Sequence, residues 1–300
     1  MISFLNTRIL ISGAVILAAA ALIIGGTFAF FSDTETSEDN TFVAGAIDLK
    51  IDNESYAIDN TIPEFDGPIG ELVASPNTSW STTDLTDQKF FDFVDLKPGD
   101  YGEDTISIEV GSNDAWLCAA AQVTQDTDET CTDPENADDP TCLAPDNGEL
   151  DEDVNFAFWK DDGDNVLEGD EVASIFLAGP ISGLGGQGKI ALVDSDGGPL
   201  GPSPVPGGST SYIGKAWCFG AFGADPETQD GLGKVGTLQN PNNIPNGPLD
   251  RTTGFTCDGS GVDNAAQTDK VVGDIQFYAE QSRNNPDFTC LDGFTPTWAQ

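Results

Sequence analysis

The sequence predicts an all-β protein, a β-sandwich or jelly roll. Two observations carry this. Apolar and polar residues alternate with a period of two in several places, as where Ile47, Leu49 and Ile51 face away from Asp48, Lys50 and Asp52. Turn formers are abundant, with 34 Gly and 18 Pro among 300 residues, and they cut the chain into short segments. No long stretch carries a helical period, although 230–238 fits neither type.

Taken in order, the chain opens with a leader. Arg8 is the one charge before an uncharged run from Ile9 to Phe31, which is long enough to cross a bilayer, either as an uncleaved anchor or as a signal helix that is removed. Gly25-Gly26 breaks that run, and the small residues at Thr27 and Ala29 frame a cleavage site between Ala29 and Phe30. Residues 1–29 are therefore read as a signal peptide and 30–40 as an arm and tether. Residues 41–300 are read as one sandwich domain. The arm starts with Phe30, Phe31, Ser32 and Asp33, two aromatics followed by an acidic tether that cannot fold alone.

Phe90, Phe91 and Phe93 crowd one expected strand, and Leu96-Lys97-Pro98-Gly99-Asp100 forms a turn after it. Ile106, Ile108 and Val110 alternate with Ser107 and Glu109. The run 116–124 is nearly all apolar, as in a strand covered on both faces. Further strands are expected over 155–159, 171–177, 189–193, 211–222 and 273–280. Two excursions interrupt them: an acidic one at 125–153 and a Pro/Gly-rich one at 194–208.

Composition bounds the function. There are 51 acidic residues against 11 basic ones, for a formal net charge of −40. Loss of Arg8 with the leader would leave 10 basic residues. Such a surface argues against nucleic acid and against anionic membrane, both of which demand a basic footprint. The leader is the one expected membrane contact, before cleavage. The 18 Phe and 5 Trp provide core material that charge-driven disorder lacks. The chain has no histidine, which excludes His-based triads and HExxH zinc sites.

The six cysteines, Cys118, Cys131, Cys142, Cys218, Cys257 and Cys290, behind an export signal point to disulfides, since no CxxC pair is present. Cys131 and Cys142 bracket a short loop and make the easiest pair. The favoured partners for the rest are Cys218 with Cys257 and Cys118 with Cys290.

The sharpest local cluster is Asp161, Asp162, Asp164, Glu168, Asp170 and Glu171, with Gly163, Asn165 and Gly169 among them. Closely spaced carboxylates on tight turns suit a hard cation such as Ca²⁺. The spacing differs from an EF-hand, and a solvated acidic turn is the plain competing reading. Carboxylate pairs for glycosidase chemistry arise by chance at this acidity and carry no weight. No catalytic residue is assigned. Asn53-Glu54-Ser55 and Asn77-Thr78-Ser79 match the N-glycosylation pattern.

GGTFAFFSDTETSEDNTFVAGAIDLKID, from Gly25 to Asp52, resembles the start of the TasA/camelysin family, with Ile47 where that family has Leu. Leu96 to Asp100 matches a turn of the same family. The resemblance implies a jelly roll, maturation by a SipW-type signal peptidase, secretion to a prokaryotic cell surface, and self-assembly into matrix fibres through donated amino-terminal strands. It also implies a rival, a camelysin-like hydrolase, that the missing histidines oppose. A monomeric calcium-binding surface protein or adhesin is the other rival.

Overall fold

The alternating segments fold as antiparallel strands because each offers one apolar face to a shared interior. A computed structural model describes residues 32–37, 47–63, 70–144, 147–183, 188–234 and 246–298. The expected leader, the cleavage site at Ala29 and Phe30, and Phe31 lie outside these residues.

The strands are β1 (Ser32–Ser37), β2 (Leu49–Ile58), β3 (Leu72–Ala74), β4 (Trp80–Thr83), β5 (Tyr101–Val110), β6 (Ala115–Asp128) and β7 (Val154–Asp161). They continue as β8 (Leu177–Pro180), β9 (Lys189–Val193), β10 (Thr210–Phe219), β11 (Ala221–Ala224), β12 (Phe255–Asp258) and β13 (Asp269–Gln281). One sheet has the order β1-β13-β6-β9, the other β3-β2-β5-β10-β7-β8 with β4 also on β2, and β11 pairs with β12. All these pairings are antiparallel. The chain crosses repeatedly between the two large sheets, so the class is an all-β sandwich. No helix among the described residues is long and apolar enough to cross a membrane.

The core sits where the inner faces meet. Leu49, Ile51, Ile106, Ile108 and Val110 from one sheet bury against Trp116, Leu117, Leu192, Val193, Phe277 and Ala279 from the other. Near β10, Trp217 and Phe219 pack with Phe156 and Val154. On the far side of β10, Gly214 lies opposite Trp159, and a Cβ at 214 would sit 2.1 Å from the indole. Burying a large ring there requires a bare backbone beside it.

Several expected elements differ. Phe90, Phe91 and Phe93 form no strand; their segment is irregular. Three neighbouring aromatics point in different directions. Phe90 meets Trp80 and Phe277, Phe91 meets Phe156, and Phe93 meets Trp217. They line a cavity of about 1080 Å³ that takes in residues of both sheets. The expected strand 171–177 is instead a 3₁₀ turn, Val172–Ser174, before the short β8. The strand expected over 211–222 divides at Gly220, whose φ of +136° ends β10 and starts β11.

The excursion 125–153 begins as strand, since β6 runs on to Asp128, and then carries one-turn helices at Glu135–Asp138 and Leu150–Asp153. The excursion 194–208 is strapped to the sandwich by Val205, which exchanges both backbone hydrogen bonds with Ala115 at 2.8 and 2.9 Å. Of the glycosylation matches, Asn53 is buried and donates to Thr78 O, which closes that position to a glycan, while Asn77 is exposed.

Disulfides join Cys118 to Cys290, Cys131 to Cys142 and Cys218 to Cys257, with Cα–Cα distances of 5.6, 5.5 and 5.4 Å. The first ties β6 to the carboxy-terminal turn, and the third ties β10 to β12.

Candidate functional site

Two regions are candidates: the loop after β7 and the edge of β13 that β1 covers.

The loop starts where β7 ends at Asp161. Gly163 and Asn165 take φ of +109° and +65°, which folds the chain back tightly enough to bring distant carboxylates together. Glu171 closes the loop, accepting from Asp162 N at 2.9 Å with Oε1 and from Glu168 N at 3.1 Å with Oε2. That pair of bonds is why 171–174 turns instead of extending.

Asp161 accepts from Thr105 Oγ1 at 2.7 Å, Gly163 N at 3.0 Å and Trp159 Nε1 at 3.2 Å. Oxygens of Asp161, Asp162 and Glu171 lie within 4.8 Å of one another, as do those of Asp162, Asp164 and Glu168, so Asp162 joins two overlapping groups. Asp164 and Glu168 are fully buried, and Asp161 and Glu171 nearly so. The loop is therefore not a solvated turn. Asp170 stands apart: it is exposed and belongs to neither group, accepting instead from Gln229.

Sequence reasoning missed the basic partner. Arg251 reaches in from 87 positions away, its guanidinium 2.9 Å from Asp164 Oδ2, 2.7 Å from Glu168 Oε1 and 3.2 Å from Asp230 Oδ2. It also missed Glu103, fully buried on β5, whose charge is set against Asp161 and Asp164. No periodicity or spacing in the sequence links these positions to the loop.

One guanidinium does not neutralise five carboxylates. Burial, and then the neighbouring acids, raise Asp164 to about 8; burial first, then Asp161, raises Glu171 to about 9. Burial also lifts Asp161 and Asp162 to about 6 and pushes Glu103 well above the usual carboxylate range. Asp162 Oδ1, Glu168 Oε2 and the Asn165 amide have no hydrogen-bond partner. Buried acceptors without donors are costly unless a proton or a cation completes them. The residues fit a hard, oxygen-seeking cation: Asp162 and Glu168 offer open lone pairs, with Asp161, Asp164 and Glu171 around them.

A second acidic group lies at the far end of β6 and β13. Asp128 and Asp269 stand directly opposite in the ladder, and with Glu149 they bring oxygens within 4.8 Å. Like charges so placed repel. Their positions lie in or beside the acidic excursion, where the sequence shows many acids and no spacing that singles these out.

The second region is an edge. β1 pairs with β13 in register from Ser32↔Glu280 to Ser37↔Ile275, forming the outermost strand of its sheet. Ser32 and Asp33 of the expected arm thus lie in a strand that covers the edge of its own domain.

The fold is accordingly that of an all-β sandwich whose amino-terminal strand is an edge strand and whose acids gather in buried loops. Residues 8–63 match a family model described as camelysin metallo-endopeptidase, which bears out the resemblance of this amino-terminal stretch to the TasA/camelysin family. The match runs through β1 and β2 and ends just past the turn at Asp59–Thr61. Among curated proteins, nothing matches the chain.

Proposed function

We propose that this protein is a secreted structural subunit of extracellular fibres or biofilm matrix on a prokaryotic cell, assembled by exchange of its amino-terminal strand. The observation that carries this is the placement of β1. It is six residues long, lies at a sheet edge, and falls within the arm that cleavage after Ala29 would free. Lifting β1 off β13 bares an edge of unpaired backbone groups, which a copy's β1 satisfies with the same bonds. Such an exchange is head-to-tail and need not close, so it propagates. Phe30 and Phe31 travel with the arm, and burial of each ring against the receiving copy contributes roughly 1.5–3 kcal/mol before ordering costs. The partners are copies of the same chain, other matrix proteins, and a SipW-type signal peptidase during export.

The test is electron microscopy of the secreted protein beside a chain lacking 30–37, across ionic strength. Screening should promote filaments of the whole chain, because like charge opposes their packing. The shortened chain should stay folded and dispersed. Filaments from it would overturn the reading.

A second reading, a calcium-dependent surface protein or adhesin, is favoured by the open oxygens of Asp162 and Glu168; Ca²⁺ is the proposed ion, and the two readings are compatible. The matched family is described as a metallo-endopeptidase. A non-enzymatic role is preferred for this chain because it has no histidine to bind zinc as such peptidases do.

A further inference from the structure

Lys215 and Asp104 are an unusual pair for so acidic a protein. They lie directly opposite each other on β10 and β5, in the middle of the larger sheet, and both are fully buried. Lys215 Nζ is 2.8 Å from Asp104 Oδ1. That distance is a hydrogen bond's, but the angle is poor enough that the contact is a close approach more than a well-aligned bond. The ammonium instead donates to Phe90 O at 3.1 Å and sits 3.6 Å from the centroid of the Phe91 ring. A close side-on contact between an amine nitrogen and a carboxyl group, inside an aromatic cage, is a poor ion pair and a good encounter of nucleophile and electrophile.

We propose that Lys215 and Asp104 condense into an intramolecular amide, a covalent cross-strand link between β5 and β10. The step needs no outside reagent. A proton passes from Nζ to the Asp104 carboxyl, giving a neutral amine and a neutral acid. The nitrogen lone pair then attacks Cγ, which lies one bond beyond Oδ1. The Nζ–Cγ bond forms, one Cγ–O bond breaks, and the departing oxygen leaves as water with the proton lost from nitrogen.

Three features of the site favour this. Burial disfavours both charges, raising the Asp104 carboxyl to about 6 and lowering Lys215, so the neutral pair that reacts is easier to reach here than in water. The fold holds the two groups together, and fixed intramolecular pairs react as though at effective concentrations of roughly 10⁵–10⁸ M. Asn53, buried on the neighbouring β2, lowers the cost of charge on the Asp104 carboxyl and so steadies the oxygen on which charge develops. The product exchanges a desolvated ion pair for a neutral amide. The link holds whether or not the chain polymerises, and it would brace the sheet against pulling forces.

The test is peptide mapping of the folded full-length protein after denaturation, reduction and alkylation. Trypsin should fail to cut after Lys215. The peptide between Lys89 and Lys160 should then appear joined to the one between Lys189 and Lys234, lighter than their sum by one water. A Lys215→Arg chain should give the 90–160 peptide unjoined, with trypsin now cutting after position 215. Recovery from the wild-type protein of a linear peptide ending at Lys215, in full yield, would overturn the proposal. That readout is on the wild-type chain, so it stands even if the variant fails to fold.

Discussion

Arg251 is bound to Glu168 by a 2.7 Å ion pair in which the glutamate is wholly buried, so the acidic loop carries a cation of its own. The same guanidinium reaches Asp164, leaving Asp161, Asp162 and Glu171 without a basic partner among the described residues. One cation thus serves five carboxylates, and this decides how the loop should respond to mutation, to calcium and to pH.

Arg251→Ala should destabilise the protein by about 3–5 kcal/mol without calcium, because it strands buried carboxylates that had one counter-charge. Urea unfolding measures this. Millimolar calcium should recover part of the loss in the variant and raise the wild-type melting temperature. Asp162→Ala with Asp164→Ala should abolish that rise.

The pH response follows from the raised carboxyls. Asp164 and Glu171 keep their protons in the folded chain up to about 8 and about 9, against ordinary values near 4 in the unfolded chain. Their contribution is fully present below that ordinary range and is lost as pH rises toward about 9. Asp164→Asn with Glu171→Gln should therefore flatten the fall in wild-type stability across this window. Calcium should flatten it too, by favouring the ionised form. Melting temperature against pH, with and without a chelator, reads both.

All six cysteines should resist alkylation in unreduced protein. The Cys118–Cys290 bridge closes the longest loop, with a separation of 172 residues. Replacing both with Ser should cost roughly 4–5 kcal/mol by loop-closure entropy, the upper end of what disulfides contribute. Replacing Cys131 and Cys142 should cost less, because that loop spans 11 residues.

Gly214→Ala should destabilise by at least about 1–3 kcal/mol, since the methyl would collide with the Trp159 indole and neither strand can move aside. Denaturant unfolding with tryptophan fluorescence would show it.

Much of the sandwich was legible because period-two alternation is a local signal. Ile47, Leu49 and Ile51 turn inward as their spacing says, and 189–193 coincides with β9. The signal fails where a residue's role is set by distant partners. Phe90, Phe91 and Phe93 look like a strand, yet they fill space between sheets. Glu171 looks like a strand's first residue, yet its carboxylate caps the loop behind it. The acids of that loop were legible as a group, but Arg251 and Glu103 come from remote strands and turns and leave no trace in local spacing. Nor does anything in the sequence pair Lys215 with Asp104, whose register emerges once β5 and β10 are aligned.

In the proposed fibre, β1 pairs with β13 of another copy. Ser32 and Glu280 are partners in that register. In a Ser32→Cys, Glu280→Cys chain, oxidation after assembly should lock each arm to its receiver. Denaturing, non-reducing electrophoresis should then give a ladder of covalent multimers that collapses on reduction. Filaments that yield internally cross-linked monomers alone would contradict strand exchange, since each arm would then have stayed on its own β13.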